Sequence, residues 1–149
     1  MSRFTEILIV SPLADGRTWY LRKEFGYDVG REGSGETISV PVGFLTDFAT
    51  IPRSLWWLLP CWGRYGNAAV IHDYCYWEQH YTRKRADMIF LEAMAVLKVS
   101  SITRHTMYLA VRLFGSVAWW NNRLRKRSGK SKIAKRLPEK STETRDDHL

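Results

Sequence analysis

His72, Asp73, Tyr74, Cys75 and Tyr76 stand in a row, and Asp87 follows within Arg85-Ala86-Asp87-Met88-Ile89-Phe90. Residues four apart share a helix face, so on a helix His72 and Tyr76 point the same way and Asp73 leans to one side. Asp87, on the next helix, is set to reach them. An imidazole beside carboxylates can orient a general base, hold a divalent ion, or do both. The same residues can also form a satisfied polar network that locks a helical hairpin, because buried polar groups need partners. Both readings stay open on these residues alone.

Three further positions belong to the same question. Asp47, in Thr46-Asp47-Phe48-Ala49-Thr50-Ile51-Pro52-Arg53, either caps a turn or serves as a metal ligand. Arg53 either pairs with Asp47 or holds a phosphate on a substrate. Trp56 and Trp57, followed by Leu58 and Leu59, either pack in the core or form a lipid-facing ridge that binds substrate. Trp119 and Trp120, above a basic helix end, raise the matching question of a membrane surface.

The elements that must position these groups are readable from pattern. Phe4 to Val10 is β-rich and leads into Asp15-Gly16, a hairpin signal. Trp19, Leu21, Phe25, Tyr27 and Val29 then alternate with polar residues, Lys23 being the exception on the apolar side. Ile38, Val40, Val42 and Phe44 take the even positions of a third strand. The expectation is a three-stranded antiparallel meander with one face buried. Pro52 and Pro60 bracket a short helical turn. Helices are expected from about Asn67 to Glu78–Tyr81, from 83 to 98 behind Thr82 as N-cap, and from 101 to 125. The inner stripe of the second helix would be Asp87, Phe90, Leu91 and Met94.

The predicted architecture is therefore α+β: a meander packed on a helical hairpin plus a third helix, in one domain over residues 1–126. The chain has 149 residues and a net charge of +8. From Asn121 onward there are ten Lys/Arg against four Asp/Glu, so most of the excess charge lies at the C-terminal end. Residues 127–149 are expected to be a disordered basic tail, with no recognised nucleic-acid reader motif. Two cysteines outside any CxxC arrangement exclude a disulfide scaffold and a four-thiolate zinc site. The N-terminal residues lack the layout of a signal peptide. The apolar stretch Met107–Trp120 contains Arg112 and is too short to span a bilayer. A bacterial host cytoplasm, or a virion, is the expected location.

His72-Asp73-x-Cys75-Tyr76 resembles the His-Asp-x-Cys-Tyr signature of the secreted phospholipase A(2) superfamily. Thr82 to Phe90 resembles the second long helix of its short prokaryotic and fungal members. The resemblance implies His72 as the base that activates water, Asp73 as a calcium ligand, Asp87 as the orienting carboxylate and Tyr76 as its partner. The superfamily's glycine-rich calcium loop is not recognisable here. Its nearest counterpart is Gly43 to Pro52, where Asp47 would replace a loop carbonyl. Ala86 stands where many secreted members carry the partner of the motif cysteine, so Cys75 is expected to be a buried free thiol. The short interval favours a Tyr76–Asp87 contact over a His72–Asp87 one.

Over nearly all of the chain except the tail, the sequence also resembles a bacterial and phage family of unknown function, number 1353. The matching residues are Val40 to Pro52, Ala69 to Asp73, Arg85 to Asp87 and Tyr108 to Gly115. That resemblance implies carriage by phages and prophages. Two functions follow as expectations. One is a calcium-assisted hydrolase acting on a lipid or cell-envelope ester. The other is a non-catalytic accessory protein with virion components as partners, its His/Asp/Tyr cluster purely structural.

Overall fold

The computed structural model describes residues 3–47 and 65–136. It is α+β, with five strands, β1 (Val10–Pro12), β2 (Trp19–Leu21), β3 (Phe25–Asp28), β4 (Thr37–Val40) and β5 (Leu45–Thr46). Three helices follow: α1 (Gly66–Glu78), α2 (Arg83–Val96) and α3 (Ser101–Arg127).

The strands form two antiparallel sheets, β1-β2-β5 and β3-β4, where the sequence suggested one meander. The division falls at Lys23, where the alternation falters. Before it Leu21 pairs with Val10, and after it Phe25 pairs with Val40. The first segment serves both sheets: Phe4 bridges to Tyr27 in β3, whereas Val10–Pro12 pairs with β2. A chain that crosses from one sheet to the other cannot remain one regular strand, so the strand expected over Phe4–Val10 reduces to a bridge and a later β1. The Asp15-Gly16 turn forms as its composition implies. Asp15 accepts bonds from the backbone N–H groups of Arg17 and Thr18, both at 2.9 Å, and closes the β1–β2 hairpin.

The alternating residues point inward. Leu21, Phe25, Tyr27, Val40 and Phe44 are fully buried, and Val29 and Ile38 nearly so, whereas Val42 is exposed. Burying side chains of this size contributes about 1.5–3 kcal/mol each, before the cost of ordering them. This apolar floor lies under α1, which touches β4 and β5 on one side and α2 and α3 on the other.

The helix boundaries follow their caps. The Thr82 side chain accepts from Arg85 N and the Ser100 side chain from Thr103 N, each satisfying a free first-turn donor. On α2, Asp87, Phe90 and Met94 are buried and Leu91 is only half-buried; Ala86, Ile89 and Ala93 complete the inner face. Helix α1 ends at Gln79, whose φ of 59° turns the chain toward α2. Its side-chain Nε2 donates to Trp119 O at 2.9 Å and its Oε1 accepts from Arg123 at 3.3 Å, so the turn is tied to α3.

Residues 128–136 do not leave the domain as a solvated tail. Ala134 N donates to Gly43 O at 2.9 Å, Leu45 N donates to Lys132 O at 2.7 Å, and Phe44 bridges to Ile133. Gly43 has a φ of +93°, and a Cβ there would run into the carbonyl of Ala134. Only glycine fits both the backbone angle and that close approach. The remainder of the expected tail, 137–149, lies outside the described residues.

Candidate active site

Helices α1 and α2 lie side by side, and His72, Tyr76 and Asp87 meet between them. His72 Nε2 stands 2.7 Å from Asp87 Oδ1. The Tyr76 hydroxyl donates to the same oxygen at 2.7 Å. Both contacts therefore form, although the short interval favoured the second over the first. The other oxygen, Oδ2, receives Arg112 Nη1 from α3 at 2.7 Å, and Arg83 Nη1 lies 3.5 Å from it.

Arg83 explains the cationic start of α2, which is unfavourable for the helix dipole. Its guanidinium also donates to the carbonyls of Val111 and Arg112, at 3.1 Å each. It thereby joins α2 to α3 beside the carboxylate.

Four polar groups thus converge on Asp87, which is fully buried. Burial pushes its carboxyl up, but hydrogen bonding and charge from His72, with the bonds from Tyr76 and Arg112, outweigh this and hold it below its ordinary value. The Tyr76 phenol is pushed well above its ordinary value, first by burial and then by its bond to Asp87, so it stays a donor.

An ionised Asp87 can only accept, so the proton between it and the imidazole sits on Nε2. In the uncharged tautomer that this leaves, the lone pair is on Nδ1. Among the described residues, His72 Nδ1 is the one buried side-chain N or O without a hydrogen-bond partner. The ring lies between Tyr76 and Phe90, with centroid separations of 4.3 and 4.5 Å. His72 is only 1% exposed. The site is assembled and closed.

Asp73 faces a different set of groups. Thr46 Oγ1 donates to its Oδ2 at 2.7 Å, and Lys132 Nζ lies 3.2 and 3.4 Å from its two oxygens. Asp73 and Lys132 are both buried, and the ammonium also sits 5.5 Å from the centre of the Phe44 ring. Asp47 lies 4.0 Å from the same ammonium and is 36% exposed.

The two carboxylates expected to hold calcium therefore converge on a lysine. Among the described residues no group of three or more His, Cys, Asp or Glu side chains is placed to hold a metal ion. A buried ammonium bonded to Asp73 supplies positive charge where the resemblance implied a cation, and residues 48–52 of the expected calcium loop lie outside the described residues.

Cys75, behind the motif, is a free buried thiol pushed up to about 12 by burial, consistent with a packing role. Arg53, Trp56 and Trp57, the expected substrate contacts, lie outside the described residues. Thr46, Arg83, Arg112 and Lys132 were not singled out as site residues. Arg112 carried a signal, being the one charge between Met107 and Trp120. Lys132 carried none.

Fold and site together define a small α+β domain in which a helical hairpin, buttressed by a third helix, encloses a His–Asp–Tyr–Arg network. The chain belongs to the family described as Protein of unknown function (DUF1353), which matches residues 19–111, more than half of its length. That span includes His72, Asp73, Tyr76 and Asp87 and ends before Arg112 and Lys132. No curated protein and no solved structure matches the chain. Among the described residues no helix is long and apolar enough to cross a membrane.

Proposed function

We propose that this protein is a hydrolase in which His72 and Asp87 form a general-base pair of the phospholipase type, acting on a carboxylic ester of a lipid or cell-envelope component. The observation that carries this reading is the divided state of the imidazole. Nε2 is fixed by a carboxylate that Tyr76 and Arg112 hold in turn, while Nδ1 is buried without a partner among the described residues. A group whose only task was to tie helices together would gain by bonding through both nitrogens, since an unmade buried hydrogen bond costs about 1–3 kcal/mol.

The proposed reaction requires the closed site to open to solvent; a water oxygen then attacks the ester carbonyl and its proton passes to Nδ1. The tetrahedral intermediate expels the alkoxide, which recovers the proton from Nδ1, giving an acid and an alcohol. Asp87 balances the imidazolium as it forms. The scheme routes no step through a metal, and Lys132 balances the charge of Asp73.

A second reading is favoured by the closure of the site. His72, Asp73 and Asp87 are all at most 1% exposed, as befits a non-catalytic phage accessory or virion component whose network only fixes the helices. The test is ester cleavage by His72→Gln, which retains a donor toward Asp87 while removing the ring base. Wild-type cleavage of short-chain esters or fluorescent phospholipids, abolished in this variant with the circular dichroism spectrum unchanged, supports the hydrolase. An inert wild type, with stability lost in His72→Gln and Tyr76→Phe alike, leaves the structural reading.

A further inference from the structure

Helix α3 turns its buried residues, Met107, Val111, Gly115 and Asn122, toward the domain. On its other side Ile102, Leu109, Leu113, Val117, Trp120 and Leu124 are exposed, from 53% at Trp120 to 83% at Ile102. Their spacings of seven, four, four, three and four residues place all six in one stripe along the helix. Exposed apolar side chains are ordinary when scattered, but a run of five from Leu109 to Leu124, with Ile102 two turns before it, marks a surface that meets something. The two tryptophans divide the work: Trp119 packs edge-on against Tyr76 at 5.1 Å, and Trp120 faces out with Arg123 stacked 5.2 Å from its ring centre.

We infer that this stripe docks the protein on an anionic lipid surface, with α3 lying in the plane of the interface. Charge selects that occupant. Ser101–Arg127 contains six Arg/Lys and no Asp or Glu, and Arg125, Lys126 and Arg127 crowd its last turn. A second copy packed against the stripe would set cations against cations. In antiparallel order the basic end meets Arg104 and His105, and in parallel order it meets its own image. The chain's own last segment, 137–149, offers only Leu137 and Leu149 as large apolar residues, too few to cover six. Lipid phosphates answer the basic turn, acyl chains accept the leucines, and a tryptophan beside an arginine suits the boundary between them. The helix cannot span the bilayer, so it lies on it. The docking surface is separate from His72 and stands whether or not that residue is catalytic.

The experiment is co-sedimentation of the full-length protein with vesicles of phosphatidylcholine alone or with 30% phosphatidylglycerol, alongside its mass by light scattering. We expect a monomer that pellets with the anionic vesicles and stays in solution with the neutral ones. Leu113→Glu/Val117→Glu and Leu113→Ser/Val117→Ser should each lower the partition coefficient by at least about tenfold with unchanged helicity. A wild type that ignores anionic vesicles would overturn the inference. So would double variants that bind as tightly as wild type, or a wild-type dimer that these variants split into monomers.

Discussion

Lys132 Nζ lies 3.2 Å from Asp73 Oδ1, joining residues 59 positions apart in a buried ion pair beneath α1. Removing one member of such a pair strands the other's charge, whereas removing both can be nearly neutral. Lys132→Met is therefore expected to destabilise the domain by about 3–5 kcal/mol, and Lys132→Met/Asp73→Leu to recover much of that loss. Urea unfolding of the two variants checks both. Because the ammonium fills the carboxylate's coordination, millimolar calcium should leave the melting temperature of the wild type unchanged; a clear rise would restore Asp73 as a metal ligand.

Gly115 permits α3 to sit against the hydroxyl of Tyr76, since a Cβ at that position would collide with the phenol oxygen. That hydroxyl is committed to Asp87 and is not free to give way. Gly115→Ala should cost about 1–3 kcal/mol through overpacking, despite the better helix propensity of alanine. Tyr76→Phe removes both the colliding oxygen and its bond. The two changes together should therefore cost less than the sum of their separate effects, a coupling that a double-mutant cycle in denaturant measures.

Asp87 is held below its ordinary value in the folded protein. Folding thus gains stability from its ionised form at pH values above the unfolded carboxylate pKa of about 3.9. That contribution is lost as pH falls through the lower folded value, when the folded state too takes up the proton. Stability should decline between about pH 5 and pH 2, and part of that slope should vanish in Asp87→Asn. Chemical denaturation across this range, compared between wild type and variant, reads the difference. An identical slope in both proteins would show that other carboxylates carry the acid sensitivity.

Arg112 reaches Asp87 Oδ2 from α3 at 2.7 Å, so its loss removes one of the partners holding the carboxylate ionised. Arg112→Met is expected to raise the Asp87 pKa and to lower stability by about 1.5–3 kcal/mol, the range for a hydrogen bond to a charged group. Titration of the Asp87 side-chain carbon by NMR follows the first effect, and thermal unfolding the second.

The helices were legible because their signals are local. Thr82 and Ser100 cap where they stand, and the inner face of α2 repeats at helical spacing. The strands were half legible: alternation identified the buried residues, but partner choice depends on the chain crossing between sheets at Lys23, which no short window records. The meeting of His72, Tyr76 and Asp87 followed from two adjacent helices and a short turn. Arg112 stood out as a charge in an apolar stretch, yet its partner depended on how α3 crosses the hairpin. Lys132 sits among polar residues without periodicity, and a side chain buried by a returning segment leaves no mark in the surrounding composition.

The return of residues 132–134 to Gly43–Leu45 also fixes when the protein can be finished during synthesis. A nascent chain that has emerged as far as α2 already holds Asp73, but its counter-charge is still unmade, and the first helix cannot bury that carboxylate cheaply. The native arrangement must wait until translation has passed residue 132. Ribosomal stalling or premature termination before that codon would release a product with a half-built interior, an easy substrate for proteases.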